Sequence, residues 1–90
     1  MNSQTRVCRR GDVLSAEVNG EIVLMSVDQG QYIGLDEIAS DLWTRIERPL
    51  TLEALVAQLA DAYDGDPAVI ERDVGALLTE MAANGLVDLS

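Results

Sequence analysis

The sequence predicts one α+β domain in which a three-stranded antiparallel β-meander precedes a bundle of three helices. Apolar residues stand in short alternating blocks before position 35, and they recur at helical spacing after position 36. Ninety residues, 48% of them hydrophobic, are enough to build one modest core. We therefore expect residues 1–90 to form a single domain, with strands over about 7–35 and helices over about 37–47, 52–63 and 67–84.

The clearest strand signal is a hairpin centred on Asn19-Gly20, two residues that accept the positive φ angles of a type I′ turn. A two-residue turn fixes the register, and the resulting opposed pairs are Val18 with Glu21, Ala16 with Val23, and Leu14 with Met25. A second reversal over residues 28–31 completes the meander, and its expected pairs are Tyr32 with Val27 and Leu35 with Leu24. Residues 7–9 and 86–89 are candidates for additional short strands.

Both faces of this predicted sheet are apolar. One face carries Ile22, Leu24, Ile33 and Leu35, and the other carries Leu14, Ala16, Val18, Val23, Met25, Val27 and Tyr32. The helices of so short a chain can cover one face well. The second face must be met by the N-terminal segment, by another copy of the chain or by a ligand. The last strand lies at a sheet edge, where its backbone groups can pair with another chain.

Capping residues mark the three predicted helices. The first helix follows Asp36 and ends before Pro49, and the second follows Thr51. The third begins at Asp66-Pro67 and stops at Asn84-Gly85. The predicted core stripe of the third helix is Ile70, Val74, Leu77, Leu78 and Met81. A second row beside that stripe contains Asp73, Leu77, Glu80 and Asn84. Leu77 belongs to both rows, so we expect it at the margin of the core, next to the partner or solvent that this side of the helix contacts.

Negative charge is concentrated in the helical part of the chain. Residues 1–35 carry three arginines against four acidic residues, a net charge of −1, whereas residues 36–90 carry three arginines against twelve, a net charge of −9. Nucleic-acid binding normally needs a basic surface, so we expect no nucleic-acid partner. The acidic surface either aids solubility or attracts a basic partner.

The composition also argues against several other classes of protein. No apolar run approaches the ~20 residues of a membrane helix, and the N-terminus lacks the apolar segment of a secretory signal, so we expect a cytoplasmic protein with no membrane partner. The chain has one cysteine, Cys8, and no histidine. No nucleophile and base are suggested together, so we expect no catalytic residue, no metal and no cofactor.

Strands followed by three short helices with tight turns resemble a winged helix-turn-helix, an architecture often used to bind DNA. A DNA-binding transcription regulator is therefore the alternative function. The third predicted helix opposes it, because Glu71, Asp73 and Glu80 would be repelled by phosphate.

The order and spacing of one set of residues also resemble the pattern of a known family. The set is the strand 32–35 with Asp36 after it, then Ala39, Leu42, Trp43, Thr51, Leu55, Tyr63, Asp73-Val74, Leu77-Leu78 and Gly85-Leu86-Val87. Over residues 13–88 the chain resembles the PqqD family, the small recognition domains of ribosomally made peptide natural products. In its size and its arginine-rich start, this chain is most like the stand-alone recognition proteins of lasso-peptide pathways. The family often has Asn where this chain has Asp36, a change that keeps the capping role.

The resemblance implies a non-catalytic adaptor, and the sequence leaves both a monomer and a homodimer open. Such proteins bind the leader segment of a precursor peptide and present it to maturation enzymes, in lasso pathways a leader peptidase and a macrolactam synthetase. An extended peptide would add as a strand at the edge, with alternate side chains entering a groove against the third helix. The expected peptide-binding residues are Met25, Gln31, Tyr32, Ile33, Val69, Asp73 and Leu77. Core roles for Val69 and Leu77, and a solvated charge at Asp73, remain open.

Overall fold

The computed structural model describes residues 1–27 and 29–90. Its strands are β1 (Arg6–Arg9), β2 (Val13–Val18), β3 (Glu21–Ser26), β4 (Gln31–Gly34), β5 (Leu50–Thr51) and β6 (Val87–Leu89). Its helices are α1 (Glu37–Arg45), α2 (Leu52–Tyr63) and α3 (Pro67–Ala83). The strands form two small antiparallel sheets, ordered β2-β3-β4 and β5-β1-β6. The α+β class is confirmed.

The predicted meander is the β2-β3-β4 sheet, and its first hairpin has the predicted register. Val18 lies opposite Glu21, and the pairs Ala16 with Val23 and Leu14 with Met25 follow. Asn19 and Gly20 adopt φ angles of 53° and 82°, as a type I′ turn requires. The turn chemistry alone was therefore sufficient to predict this hairpin.

The second hairpin has a different register from the predicted one. Tyr32 lies opposite Met25 and Ile33 lies opposite Leu24, so the predicted pairs of Tyr32 with Val27 and of Leu35 with Leu24 are wrong. Gly30, at a φ of 64°, donates its N–H to the Ser26 carbonyl over 2.8 Å. The last opposed pair is Ser26 with Gln31, one residue earlier on each strand than the predicted pair of Val27 with Tyr32. The predicted reversal also included Asp28, which lies outside the described residues. Because the register differs by two residues, each side chain keeps its predicted face.

The β5-β1-β6 sheet is the part of the fold that the sequence did not predict. The short strands expected near residues 7–9 and 86–89 are present, but they pair with each other and with β5 in a sheet separate from the meander. Val7, at the centre, is fully buried and lies opposite Leu50 and Leu89. This sheet joins the two ends of the chain to the start of α2.

The predicted caps begin all three helices. Asp36 accepts the N–H of Ala39 at 2.8 Å, Thr51 accepts that of Ala54 at 3.1 Å, and Asp66 accepts that of Ala68 at 2.9 Å. Helix α1 ends at Arg45, two residues before the predicted end, and α3 ends at Ala83. Within the described ranges, no helix has both the length and the apolar character needed to cross a bilayer.

The core lies between the inner face of the meander, the three helices and the β5-β1-β6 sheet, which contributes Val7 and Val87. Leu24 is its fully buried contribution from the meander, and Trp43, Leu55 and Leu78 are its buried contributions from α1, α2 and α3. Leu78 belongs to the predicted core stripe of the third helix, and its burial confirms the helical phase there. Leu77 is half-buried and packs against the same cluster from its margin.

Candidate functional site

Strand β4 forms an edge of the meander, since β3 is its neighbour on one side. The N–H of Leu35 donates to the carbonyl of Ile22 over 2.8 Å, which fixes the alternation of hydrogen bonds along the strand. Odd-numbered residues of β4 therefore pair with β3, and the backbone N–H and carbonyl groups of Tyr32 and Gly34 point away from it. These groups can pair with a further strand.

A groove of about 220 Å³ lies beside this edge, between β4, the start of α1 and the last turns of α3. Ile33 contributes the β4 wall and Leu77 the α3 wall. The lining residues are Ile33, Gly34, Leu35, Asp36, Ala39, Leu77, Glu80, Met81, Asn84 and Leu86. The groove is therefore mainly apolar, with the carboxylates of Asp36 and Glu80 among its polar groups.

The α3 wall follows from helical spacing. Leu77, Glu80 and Asn84 recur at i, i+3 and i+7, so they share one side of the helix next to the buried stripe. All three line the groove. Glu80 and Asn84 were not among the predicted site residues. The signal that could have identified them was this row, which places them beside Leu77.

A second groove of about 210 Å³ involves the preceding turn of α3. It is lined by Ile38, Leu59, Tyr63, Ile70, Asp73 and Val74. Asp73 lies one turn before Leu77 on α3, and Ile38 adjoins Ala39 on α1, so the two grooves follow each other along the same pair of helices. Ile38 is 48% exposed. A ligand that leaves the first groove along α3 therefore meets apolar surface again.

A hydrogen bond fixes one wall of the second groove. The Tyr63 hydroxyl donates to Oδ2 of Asp41 over 2.6 Å, and Asp41 Oδ1 accepts the Nε of Arg45 at 3.0 Å. The hydrogen bond to the carboxylate raises the pKa of Tyr63 above its ordinary value, with smaller contributions from desolvation and from nearby acidic charges. The Tyr63 ring is therefore held beside Ile70 and Asp73.

The structure brings some of the predicted site residues together and separates others. Ile33 and Leu77 share the first groove, and Asp73 lines the second. Met25 and Tyr32 face each other across the meander on its outer face, and Gln31 is exposed at the start of β4. Val69 is 43% exposed on α3, eight residues before Leu77 and thus ~12 Å away along the helix axis. Roles in peptide binding stay predictions for all seven.

The chemistry of this region suits a ligand held by backbone pairing and apolar contacts. Asp73 is exposed over 67% of its side chain, and its nearest cation is Arg72 of the same helix, at 3.4 Å. A basic group on a ligand would find carboxylates along α3. Among the described residues, no group of three or more Asp, Glu or Cys side chains is placed to hold a metal ion.

A family model and several solved structures match this chain. The model of the family described as Coenzyme PQQ synthesis protein D (PqqD) matches residues 21–87. A comparison with curated proteins gave no match. The solved structure of TbiB1 in complex with the TbiA(beta) leader peptide is 30% identical and has a TM-score of 0.83, covering 90% of this chain and 94% of that one.

Two more distant structures share the fold. A lasso peptide synthetase B1 complexed with its leader peptide is 23% identical, with a TM-score of 0.80 over 91% of this chain and 96% of that one. The PqqD truncation of Methylobacterium extorquens PqqCD, described as a stand-alone recognition element for ribosomally synthesised and post-translationally modified peptides, is 21% identical. Its TM-score is 0.77, over 92% of this chain and 88% of that one. Since the family model matches most of the sequence and the TbiB1 likeness spans nearly all of it, this chain belongs to the PqqD family.

Proposed function

We propose that this chain is a non-catalytic adaptor that binds the leader segment of a ribosomally synthesised precursor peptide and presents it to maturation enzymes. The observation that carries the proposal is the open edge of β4 beside the groove between β4 and α3. The TbiB1 structure, with which the chain shares its fold and 30% identity, is a complex with a leader peptide.

In this mechanism the leader adds to β4 as a fourth strand. Its backbone hydrogen bonds go to the outward groups of Tyr32 and Gly34, and they tolerate many leader sequences. Alternate leader side chains point to the same side, and those on the inner side enter the groove lined by Ile33 and Leu77. Backbone pairing supplies much of the affinity, and the groove supplies selectivity.

Charge favours a leader with basic residues. The chain carries a net charge of −10, and Asp73 and Glu80 are exposed on the α3 side of the two grooves. A negative surface raises the association rate of a positively charged peptide and orients it before contact. We assign to Asp73 a pairing with a basic leader residue, and to Val69 a contact with a more distant part of the leader.

The partners of such an adaptor are the enzymes that act on the presented precursor. From the resemblance to the stand-alone recognition proteins of lasso-peptide pathways, we propose that they are a leader peptidase and a macrolactam-forming synthetase, in the cytoplasm where precursor peptides are made. The single domain of residues 1–90 would hold the leader, and the enzymes would perform the chemistry. The edge and the groove belong to one copy of the chain, so a monomer suffices for leader binding.

DNA binding by a winged helix-turn-helix is the less favoured function. The helix that would enter a groove of DNA is α3, whose one basic residue, Arg72, stands beside Glu71 and Asp73. Arg72 also forms an ion pair with Asp73. Phosphate contacts require basic side chains, so this helix would be repelled from DNA.

The test is a titration of the purified protein with the leader of the precursor encoded beside its gene. We expect a saturable complex with Kd of roughly micromolar or tighter, where each tenfold change equals ~1.4 kcal/mol. Amide shifts should cluster at residues 31–34 and 69–77. The precursor should keep its mass when incubated with this protein alone, and duplex DNA at low salt should give no saturable binding. Absence of binding to any nearby encoded peptide, or shifts confined to residues 14–18, would contradict the proposal.

A further inference from the structure

Glu80 lies in the groove between β4 and α3 without a partner for its charge. Its side chain is exposed, and it lines the groove. All six basic residues of the chain are arginines, and among the described residues that line the groove none is an arginine. The ion pairs in the described part of the chain are formed by Asp12, Asp41 and Asp73. The protein itself therefore leaves the Glu80 carboxylate without a neutralising cation.

The position of Glu80 on α3 makes this charge unfavourable for the helix. Helix α3 ends at Ala83, so Glu80 stands in the last turn, where the described helix has no basic residue. The last carbonyl groups of a helix carry partial negative charge, which favours a cation and disfavours a carboxylate. Asn84, the C-cap residue, lines the same groove, so the end of the helix lies there too. A cation at this end of the groove would be stabilised both by Glu80 and by the end of α3.

The rest of the groove suits a long side chain with an apolar stem. Ile33 and Leu77 are half-buried on its two walls. The other carboxylate of the groove, Asp36, accepts the N–H of Ala39 at 2.8 Å and is held at the start of α1. Lysine and arginine pack their methylene groups along apolar surface and keep their charged ends in polar surroundings. An aliphatic side chain would cover the walls but would reduce the hydration of Glu80 without giving it a partner.

We infer that the groove selects a lysine or an arginine of the leader strand, whose methylene stem packs against Ile33 and Leu77 and whose charged end pairs with Glu80. This inference rests on the proposed function and names the kind of side chain that the groove accepts. Asp73 lies seven residues earlier on α3, ~10 Å away along the helix axis, so its proposed basic partner is a different leader residue. Glu80 thus determines specificity at a cost to the stability of its own helix.

The experiment uses the full chain and the leader of the precursor encoded beside its gene. Glu80→Gln removes the charge and keeps the length of the side chain. Glu71→Gln is the matched control, because it makes the same change on α3 outside the two grooves. In the peptide, each lysine is replaced in turn by norleucine and each arginine by citrulline, which remove the charge and keep the stem. Dissociation constants for every pair of protein and peptide give the coupling between Glu80 and each leader residue. Thermal melts give the stability of each protein.

We expect Glu80→Gln to weaken leader binding about three- to tenfold, and Glu71→Gln to stay within about twofold of wild type. Glu80→Gln should also raise the melting temperature, because it removes a carboxylate from the last turn of α3. Neutralising one particular leader residue should weaken binding to the wild type by the same factor. That replacement should change binding to the Glu80→Gln protein by less than about twofold, because the charge it would pair with is already absent.

The inference is overturned if no leader residue is coupled to Glu80, since the carboxylate is then only a solvated charge. It is also overturned if norleucine strengthens binding to the wild type at the position that enters the groove, which would show that the groove holds an apolar side chain. A leader that binds saturably without any lysine or arginine would contradict it as well. If the wild-type protein does not bind the leader at all, the proposed function itself fails, an outcome distinct from the other three.

Discussion

The guanidinium carbon of Arg9 lies 4.4 Å from the centroid of the Trp43 ring, and Arg9 Nε donates a 3.0 Å hydrogen bond to the Trp43 carbonyl oxygen. The Nη2 of Arg9 donates to the same oxygen. Arg9 belongs to β1 and Trp43 to α1, so one side chain connects the second sheet to the first helix. Desolvation lowers the pKa of Arg9 from its ordinary value, while the charge of Glu47 acts in the opposite direction.

Replacing Arg9 should therefore destabilise the protein. We expect Arg9→Ala to lower the free energy of unfolding by about 1–3 kcal/mol, because it removes a cation–π contact and charged hydrogen bonds to a carbonyl near the core. Arg6→Ala is the control, since Arg6 is exposed on the same strand. Urea unfolding followed by Trp43 fluorescence gives both values. Equal stabilities for the two variants would show that the Arg9 contact contributes nothing.

Leu78 should contribute more than its neighbour Leu77 to stability. Leu78 is fully buried in the core, whereas Leu77 is half-buried at the margin of the groove. Truncation of a buried leucine typically costs ~2–5 kcal/mol, so we expect a loss of this size for Leu78→Ala and a smaller one for Leu77→Ala. Thermal melts of both variants check the order. A Leu78→Ala protein with the same melting temperature as the wild type would contradict the described packing of α3.

The sequence predicted the fold where local chemistry determines it. Asn19-Gly20 specifies its hairpin, and the caps at Asp36, Thr51 and Asp66 specify where helices begin. The second hairpin was predicted in the wrong register. Its connection, between Ser26 and Gln31, is longer than the two-residue turn of the first hairpin and leaves more than one pairing open. The predicted register differs from the observed one by two residues, an even number. An odd difference would have moved Leu24 or Ile33 to the wrong face of the sheet, which the apolar pattern excludes.

The β5-β1-β6 sheet could not be predicted from local patterns. Val7 pairs with Leu50 and with Leu89, residues more than 40 positions away on the chain. No turn signal links such segments, and strands of two to four residues show little alternation. Their pairing depends on where the helices place the chain ends, which is information that the complete fold supplies.

The candidate site was likewise predictable from the sequence only in part. The edge position of β4 and the nearness of Ile33 to Leu77 follow from the meander and from the helical row. The ~12 Å between Val69 and Leu77 follows from helical rise, but which of the two lines the groove depends on how α3 lies against the sheet, which periodicity does not specify. The second groove likewise depends on how three helices pack around Tyr63.

The hydrogen bond between Tyr63 and Asp41 predicts a high pKa for the phenol. Asp41→Asn should lower the pKa of Tyr63 towards its ordinary value, because it removes the negatively charged carboxylate that accepts the hydrogen bond from the phenol. The raised pKa implies that the bond contributes stability below the unfolded-state pKa of ~10, and that this contribution is lost as the pH rises through the folded-state value. Absorbance at the tyrosinate band in a Tyr32→Phe background measures the titration.

Asp61→Asn provides the control for this titration, since Asp61 is exposed on the same helix as Tyr63, whose hydroxyl bonds to Asp41 in the described part of the chain. We expect Asp61→Asn to leave the titration close to that of its parent. If Asp41→Asn also leaves the titration midpoint unchanged, the Tyr63 hydroxyl does not depend on Asp41 in solution.

Charge reversal at Asp73 tests the contribution of α3 to leader binding. Asp73→Arg should leave the free energy of unfolding within ~0.5 kcal/mol of wild type, because the side chain is mostly exposed. If Asp73 meets a basic leader residue, the reversal should weaken leader binding about three- to tenfold, or ~0.6–1.4 kcal/mol. The loss should shrink as salt rises, since exposed charges are screened over ~10 Å at 0.1 M.

Glu71→Arg is the matched variant for that measurement. It makes the same charge change on the same helix, but Glu71 lies among residues next to the starts of α2 and α3, outside the two grooves beside Leu77 and Asp73. A loss of affinity that is larger for Asp73→Arg than for Glu71→Arg at every salt concentration locates the basic leader residue beside Asp73. Equal losses would mean that the leader senses the overall charge of the protein, and that Asp73 makes no specific contact with it.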